Sequence, residues 1–325
     1  MTPGEISHII RSEVLAAGFE RCGITPAIEL TEEKALMERW IAAGCHAGMN
    51  YLERNQDKRS NPALLFEGAR TVVVAALNYY REREPEAEGE PLFSGYASGR
   101  DYHDVVKQRL QHALNASMER IPGLRGRVFA DSAPLMEKAL AVRAGLGRQG
   151  RNSLLIVPGR GSFHFIGEIV INMEASYDYP DETDPCGSCR KCIDACPSGA
   201  ISEKGFVDAS RCISYITVEH KGEIPSFFAG RMGGFVFGCD ICQDVCPHNA
   251  IAPVHDVPEF TPDPRRQAMT AEKWNHFGRE EFESMFSGTA VMRCGYESFM
   301  RNLRFLKKVT GPGRGRHRKM NTKKP

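Results

Sequence analysis

The chain has 325 residues, 11 of them cysteine, and carries 42 basic against 41 acidic side chains. Hydrophobic residues at 42% and charged residues at 26% are typical of a globular protein, which excludes global disorder, collagen and a coiled coil. No apolar run approaches the roughly 20 residues that a membrane span needs, and the N-terminus lacks the basic and apolar regions of a signal peptide. We therefore expect a cytoplasmic protein, without a membrane partner, whose reduced cysteines hold metal rather than form disulfides.

The net charge of +1 hides two regions of opposite sign. The last 25 residues, 301–325, contain ten Lys or Arg and no acidic residue, so the other 300 residues carry 32 basic against 41 acidic groups. A body of net charge −9 followed by a basic tail indicates an anionic partner, and nucleic acid is the first candidate.

Helical and strand patterns alternate along the first part of the chain. Apolar spacing predicts helices at 6–17, 31–42, 101–120 and 135–144, and strands at 71–78, 126–130, 153–157 and 163–172. The nearly continuous apolar run at 71–78 is typical of a strand that is buried on both faces. The pattern predicts an α/β (α+β) domain over residues 1–180, which ends in the polar, proline-bearing stretch Tyr177–Pro185. Residues 83–91 are predicted to be a charged loop.

The C-terminal part of the chain predicts two further regions. Helical patterns at 271–286 and 290–308 predict a short helical C-terminal segment over residues 254–310. Residues 311–325 lack apolar side chains to bury, so they are predicted to form a disordered basic tail.

Eight of the cysteines form a two-part ferredoxin motif that predicts an iron–sulfur domain over residues 181–253. The first part is Cys186-x2-Cys189-x2-Cys192-x3-Cys196-Pro197, and the second is Cys212 followed by Cys239-x2-Cys242-x3-Cys246-Pro247. In ferredoxins with this spacing the fourth cysteine of each part binds the other cluster. We therefore expect one 4Fe–4S cluster on Cys186, Cys189, Cys192 and Cys246, and a second on Cys196, Cys212, Cys239 and Cys242. Two structural zinc sites are the alternative, which the spacing and the Cys-Pro pairs disfavour.

One glycine motif and one histidine motif resemble cofactor sites, but neither meets all the requirements of such a site. Gly145–Gly150 matches G-x-G-x-x-G, but it follows a helical pattern and precedes a strand, so a plain turn or a loop beside another cofactor is favoured over a dinucleotide site. Asp101-Tyr102-His103 begins like the D-x-H-x-x-G motif of proteins that ligate cobalt through histidine, but Val106 occupies the glycine position.

Two polar clusters are ambiguous on the residues alone. Asp131 and Ser132 stand where a strand meets a helix, and either can be a helix cap. The alternative is that Asp131, at the end of a strand, is a proton donor. Arg54, Lys58 and Arg59 form either a solvated face or a phosphate contact.

Six segments carry a more specific signal than the ferredoxin motif. They are Ser94–Leu110 (SGYASGRDYHDVVKQRL), Phe129–Ile156 with its DSAP motif, Gly161–Asn172, Cys186–Ile201, Asp208–Pro225 with RCISYIT, and Phe237–Asn249. Together they resemble the epoxyqueuosine reductases of tRNA modification. The resemblance extends over nearly the whole chain, to about residue 306.

The resemblance implies an activity and a set of functional residues. The reaction would reduce epoxyqueuosine to queuosine in tRNA by two-electron removal of the epoxide oxygen, with cob(I)alamin as nucleophile, two 4Fe–4S clusters and an external electron donor. It implies a cobalamin without a histidine ligand in domain 1–180, and Asp131 as the catalytic proton donor that also contacts the cofactor. Further cofactor contacts are implied for Arg59, Ser153, Ser214 and Asp240. Lys221 and the C-terminal basic residues would contact tRNA, and we expect a monomer.

Three positions depart from the family pattern, and two other functions compete. Arg148 replaces a common aromatic, Ile241 an aspartate and His248 a tryptophan. One alternative is a reductive dehalogenase, which the basic tail and the missing export signal disfavour. Another is an iron–sulfur electron carrier to a corrinoid protein, for which the large domain before the clusters is more than is needed.

Overall fold

The structure is a computed structural model that describes residues 1–83 and 90–309. Its helices are α1 (Pro3–Ala16), α2 (Thr31–Ala42), α3 (Gln56–Ser60), α4 (Tyr102–Arg120), α5 (Glu137–Arg143), α6 (Lys191–Ala195), α7 (Ile213–Val218), α8 (Ile241–Asp244), α9 (Pro264–Gln267), α10 (Ala271–Asn275), α11 (Arg279–Phe286) and α12 (Tyr296–Val309). Its strands are β1 (Arg21–Pro26), β2 (Thr71–Asn78), β3 (Leu92–Phe93), β4 (Gly126–Phe129), β5 (Arg148–Gln149), β6 (Leu155–Ile156), β7 (His164–Ile171) and β8 (Phe235–Phe237).

The N-terminal part is built on a four-stranded antiparallel sheet with the strand order β1-β2-β7-β4. All eight residues of β2 are buried. Its odd-numbered residues, such as Val73, pack into one apolar core, and its even-numbered residues, such as Val74, pack into another. The prediction of a strand buried on both faces is therefore confirmed, although its neighbours are antiparallel and not parallel.

Helices cover both faces of this sheet. α1 and α4 pack on the first face, and α5 packs on the second. Helix α4 begins where the Asp101 carboxylate accepts the main-chain N–H of His103. Its buried residues, among them Val106, Leu110 and Ala113, recur at the helical spacing of three or four and face β7. This packing brings the start of α4 close to the loop that follows β4.

A third core is aromatic and joins distant parts of the chain. It contains Phe228, Phe235, Phe237, Trp274, Phe282, Phe286 and Phe299. Residues 92–97 reach this core because β3 pairs with β8 in parallel, and α12 packs on the same strand. The predicted boundaries at residues 181 and 254 thus lie between segments that share one core.

Several elements differ from the predicted ones. β1 was not predicted, because Arg21–Pro26 contains a glycine and a proline and little apolar alternation. The strand predicted at 153–157 is reduced to β6. The predicted helix 271–286 is divided into α10 and α11, and 290–308 is divided by Gly295, whose φ is 76°.

Two predicted regions fall largely or wholly outside the described part of the chain. They are the charged loop at 83–91, of which 84–89 are not described, and the basic tail at 311–325. Among the helices within residues 1–83 and 90–309, none is long and apolar enough to cross a bilayer.

Candidate active site and iron–sulfur centres

Asp131 lies two residues after β4, in a loop with an unusual backbone. Its φ is 55°, the left-handed conformation that non-glycine residues seldom adopt and that is concentrated at functional sites. The main-chain N–H of Asp131 donates to the Glu137 carboxylate, and the Tyr102 hydroxyl donates to the Asp131 side chain. That side chain is 52% exposed, so the carboxylate is open to a substrate.

The helix-cap alternative for this loop is wrong. α5 begins at Glu137 after Met136, and no side chain caps it. The Ser132 hydroxyl instead accepts a hydrogen bond from Lys107 at 3.0 Å. The conformation of Asp131 therefore does not serve the start of α5.

A buried histidine connects Asp131 to a second aspartate. His103 Nε2 lies 3.4 Å from Asp131 Oδ2, and His103 Nδ1 lies 2.6 Å from Asp101 Oδ1. Burial lowers the pKa of His103, but the hydrogen bonds to Asp101 and Asp131 outweigh it and raise that pKa above its ordinary value. Burial likewise raises the pKa of Asp131, and the hydrogen bonds from His103 and Tyr102 hold it below its ordinary value.

Asp101 is in turn held by Arg293 from the turn that precedes α12. Arg293 Nη2 lies 3.0 Å and Nε 3.1 Å from Asp101 Oδ2. The hydrogen bonds of His103 and the charge of Arg293 more than offset burial, and the pKa of Asp101 falls to about 2. The C-terminal segment thereby contributes a charge to the surroundings of Asp131.

Two further acidic residues lie behind Asp131. Burial, reinforced by Asp131, raises the pKa of Glu137 to about 8. Glu168, in β7, has no solvent exposure, and neither carboxylate oxygen has a hydrogen-bond partner within the described residues. Burial raises the pKa of Glu168 well above its ordinary value, and the charges of Glu137 and Asp131 raise it further.

Lys138 connects this acidic group to the cysteines. Burial lowers the pKa of Lys138, against the opposing influence of Glu137, Asp131 and Cys242. Its Nζ donates to the main-chain oxygen of Ser153 at 2.9 Å. Asp131 and Cys242 therefore lie within electrostatic reach of one lysine.

Four of the motif cysteines surround one space. Burial raises the pKa of Cys246, and the neighbouring Cys186 and Cys189 raise it further. Burial raises the pKa of Cys192 in the same way, and the neighbouring Cys186 and Cys246 raise it further. The four side chains line one small pocket, whose wall also includes His248.

The other four motif cysteines form a second group. Burial raises the pKa of Cys212, with Cys196 as its cysteine neighbour, while the main-chain N–H groups of Tyr215 and Ser214 lower it. Burial also raises the pKa of Cys239, reinforced by Cys242 and Cys212. Across the described residues, no three Cys, His, Asp or Glu side chains are close enough to hold one metal ion.

The predicted cofactor residues are found in three different settings. Arg59 donates to the Tyr51 carbonyl at 3.3 Å, and its buried Nε has no partner in the described part of the chain. Ser153 has a φ of 61° and donates to the Gly205 carbonyl at 3.0 Å. Ser214 lies beside the thiol of Cys212 through its main-chain N–H.

Asp240 and Lys221 are both engaged within the chain. Asp240 is 1% exposed and accepts hydrogen bonds from the Ser94 hydroxyl, from Arg83 at 2.6 Å and from the Gly95 N–H at 2.7 Å. Lys221 Nζ donates to the Cys294 carbonyl at 3.2 Å. Asp240 thus secures the turn before α4.

The glycine motif 145–150 is a helix end, as the sequence context indicates. Gly145, with a φ of 72°, follows α5 and donates to the Val142 carbonyl, and Leu146 donates to the Ala141 carbonyl. A side chain at Gly147 would lie 2.1 Å from the Ile156 oxygen, so the close approach of β6 requires glycine there.

Sequence reasoning missed several residues around Asp131. They are Tyr102, Glu137, Lys138, Glu168 and Arg293. The available signal was the DYH sequence at 101–103, which places an aspartate, a tyrosine and a histidine side by side. Arg293 gave no signal, because it is 192 residues from Asp101.

Comparison with known proteins assigns the chain to a family. Residues 59–132 match the family described as epoxyqueuosine reductase QueG, DUF1730, and residues 185–249 match a 4Fe–4S double cluster binding domain. An epoxyqueuosine reductase of Cellulophaga algicola is 42% identical over 301 residues, which are 93% of this chain and 98% of the relative.

Solved structures agree with this assignment. An epoxyqueuosine reductase in a structure with an epoxyqueuosine-modified tRNA-Tyr stem loop is 30% identical, with a TM-score of 0.86 over 93% of this chain and 81% of that one. The Bacillus subtilis enzyme, also 30% identical and with the same coverage, has a TM-score of 0.85; its catalytic aspartate loop is swung out of the active site. The mixed α/β fold, the double-cluster domain and the similarity along nearly the full chain show that this protein belongs to the epoxyqueuosine reductases, a family of oxidoreductases.

Proposed function

We propose that this chain reduces epoxyqueuosine to queuosine in tRNA at a cobalamin bound beside Asp131, with electrons supplied through two 4Fe–4S clusters. The observation that carries the proposal is the nearness of an exposed carboxylate to the cysteine groups, since Asp131 and Cys242 both act on Lys138. A relative studied with an epoxyqueuosine-modified tRNA stem loop supports the choice of substrate.

The residues around this cleft fit a polar organic cofactor. Arg59 offers a buried guanidinium N–H that has no hydrogen-bond partner among the described residues, and such a group needs an acceptor. Ser153, held in a left-handed conformation, and Ser214, beside Cys212, would contribute further contacts, while Asp240 would position the Ser94–Gly95 turn. A cobalamin bound there supplies a strongly reducing, nucleophilic metal centre for opening the epoxide.

Asp131 would act on the oxygen of the epoxide. As a carbon–oxygen bond breaks, negative charge develops on that oxygen and a proton is required. Reduction of an epoxide to an alkene consumes two electrons and two protons and releases water. The exposed carboxyl group of Asp131 would deliver the protons, and the Tyr102 hydroxyl, which donates to it, would fix its orientation.

The two cysteine groups would each hold one cluster. One cluster would take Cys186, Cys189, Cys192 and Cys246, and the other Cys196, Cys212, Cys239 and Cys242. The Arg151 N–H points at the Cys186 sulfur at 3.4 Å, and the Ala200 N–H at the Cys196 sulfur at 3.3 Å. Such donors stabilise negative charge on cluster sulfur and raise the reduction potential.

Basic residues would bind the tRNA backbone and leave recognition to the pocket. Lys221 would hold a phosphate only by releasing or sharing its bond to Cys294. Arg301 is less available, since it donates to the carbonyls of Ile216, His220 and Gly222. Sequence-independent phosphate contacts of this kind would give affinity that depends on salt, and an extruded modified base entering the cleft would give selectivity.

The proposal keeps the predicted division of the chain. Residues 1–180 would form the cobalamin-binding catalytic domain, 181–253 the ferredoxin-like domain, 254–310 the helical segment and 311–325 the basic tail. We propose a monomer that receives electrons from an external donor.

The exchange Asp131→Asn tests the proposal. The amide keeps the size of the side chain but cannot deliver a proton, so kcat for epoxyqueuosine in tRNA should fall by about 10² or more. Iron content, cobalamin absorption and the Kd for tRNA should not change. Asp104→Asn, an exposed aspartate in the first turn of α4, is the matched control and should retain full activity. Full activity in Asp131→Asn would reject the assignment.

Cofactor retention separates the proposal from its two alternatives. After iron–sulfur reconstitution with cobalamin, the purified protein should keep a corrinoid spectrum, whereas an electron carrier should keep the clusters alone. Loss of epoxyqueuosine from tRNA then distinguishes the proposed activity from reduction of a small organohalide.

A further inference from the structure

We infer that His103 holds the proton that Asp131 delivers, and that Asp101, secured by Arg293, keeps the His103 ring charged. The inference rests on the proposed function, in which Asp131 protonates the epoxide oxygen. His103 acts through Asp131 and is therefore a positioning residue, not one that touches substrate.

The geometry of the ring requires a charged imidazole. Each ring nitrogen faces a carboxylate, Asp101 at 2.6 Å from Nδ1 and Asp131 at 3.4 Å from Nε2. A neutral imidazole has one N–H and one lone pair, so one of the two carboxylates would face a lone pair. Only the imidazolium donates to both. His103 is 5% exposed, so water cannot easily replace either partner.

The charges around the ring alternate in sign. In space, Arg293 contacts Asp101, Asp101 contacts His103, and His103 contacts Asp131. From its own helix, Tyr102 stacks on the His103 ring with centroids 4.0 Å apart. From the β4–α5 loop, Asp131 faces the ring and raises its pKa. Glu137, in α5, is also near enough for the charge of His103 to lower the pKa of Glu137.

The direction of the pKa shifts agrees with this placement of the proton. The pKa of His103 is raised while that of Asp131 is lowered. Both directions favour the proton on the ring and the ionised form of Asp131. The His103 N–H that faces Asp131 is then the proton source nearest to the carboxylate within the described residues.

The proton transfers balance the reaction. The Nε2 proton of His103 passes to Asp131 Oδ2 and from there to the epoxide oxygen as the carbon–oxygen bond breaks. The ring is left neutral, with its remaining N–H on Nδ1 toward Asp101. Solvent, to which Asp131 is open, restores the pair, and the second proton follows the same route to the leaving hydroxyl. With the two electrons that the external donor provides in the proposed function, the products are the alkene and water.

The test is the pH dependence of kcat for epoxyqueuosine reduction by the reconstituted enzyme. Wild-type kcat should fall as the pH rises through the pKa of His103, because the ring loses its proton. His103→Gln has no titrating proton, so it should lose about 10²-fold in kcat and lose this basic limb, with the Kd for tRNA unchanged.

Asp101→Asn provides a second, milder variant. Its amide oxygen can still accept the His103 N–H that starts α4, but the negative charge beside Nδ1 is gone. The basic limb should therefore move to lower pH while the enzyme remains folded and active at acidic pH. His112→Gln, an exposed histidine on the same helix, is the matched control and should leave the profile unchanged.

The outcomes distinguish the two proposals. If wild type fails to reduce epoxyqueuosine, the proposed function is wrong. If wild type is active but His103→Gln stays within about twofold of its kcat, or both variants keep the wild-type profile, only the inference about His103 is overturned.

Discussion

At the scale of single residues, Glu137 and Asp131 are coupled through the backbone. Glu137 accepts the N–H of Asp131 and so supports its left-handed conformation, while burial and the charge of Asp131 raise the pKa of Glu137 from 4.5 to about 8. A carboxyl group whose pKa is raised on folding stabilises the protein most when both states are protonated, below about pH 4.5. That contribution is lost as the pH rises toward 8.

We therefore predict opposite effects for two substitutions at Glu137. Glu137→Gln keeps an oxygen that accepts the Asp131 N–H but does not titrate, so its stability should fall less than that of wild type between pH 4.5 and 8. Urea midpoints at several pH values measure this difference. Glu137→Ala removes the acceptor, and kcat should fall because Asp131 is no longer held. Equal pH dependence in Glu137→Gln and wild type would contradict the assignment.

At the scale of elements, the placement of Tyr102 and His103 beside Asp131 depends on how closely α4 packs on β7. A Cβ added at Gly167 would lie 2.5 Å from Val106 Cγ1 and 2.7 Å from Leu110 Cδ1, distances that real Cβ atoms do not show. Glycine in the middle of β7 therefore permits the approach that brings Tyr102 and His103 to Asp131.

Gly167→Ala should push α4 from the sheet. Overpacking at such a site costs about 1–3 kcal/mol, so the urea midpoint should fall and kcat should fall with it. Gly4→Ala is the control and should be neutral or slightly stabilising, because the atom nearest to the added Cβ would be the Ser176 hydroxyl oxygen at 3.8 Å. Unchanged stability in Gly167→Ala would show that α4 adjusts without cost.

At the scale of the molecule, the fold brings cysteines from the two halves of the motif together, as the proposed crossed ligand sets require. Cys246, at the end of the second half, lies with Cys186 and Cys189 from the first. With the crossed ligand sets, each half of the motif would contribute a ligand to the other half's cluster.

Double variants test this crossing. Cys186→Ser and Cys246→Ser should each lose the same cluster, so the double variant should lose no more iron than either single one. Cys186→Ser combined with Cys196→Ser should lose both clusters. Iron analysis and electron paramagnetic resonance measure the result, with Cys45→Ser, outside the motif, as control. Additive iron loss in Cys186→Ser/Cys246→Ser would contradict the crossed arrangement.

The basic tail is tested by its effect on salt dependence. Residues 311–325 contain six Lys or Arg. If all six contact phosphates, changing them to glutamine should reduce the slope of log K against log salt for tRNA binding by about four to five. An unchanged slope would show that the tail only aids solubility.

Local patterns predicted much of the fold and of the metal chemistry. β2 and α2 have the predicted bounds, because a continuous apolar run and a helical repeat are properties of a few neighbouring residues. The division of 271–286 into two helices was missed, since Gly278 caps α11 by donating to Glu281 and interrupts an otherwise helical pattern.

The sequence by itself determined the two-cluster cysteine spacing and the resemblance that the family comparisons confirm, because ligand spacing and motif order are written along the chain. Only the tertiary structure decided which groups surround Asp131. His103 is 28 residues from Asp131, and Arg293 is 192 residues from Asp101. No periodicity spans such distances. The packing of α4 on the sheet and of the C-terminal segment on the aromatic core brings these charges together.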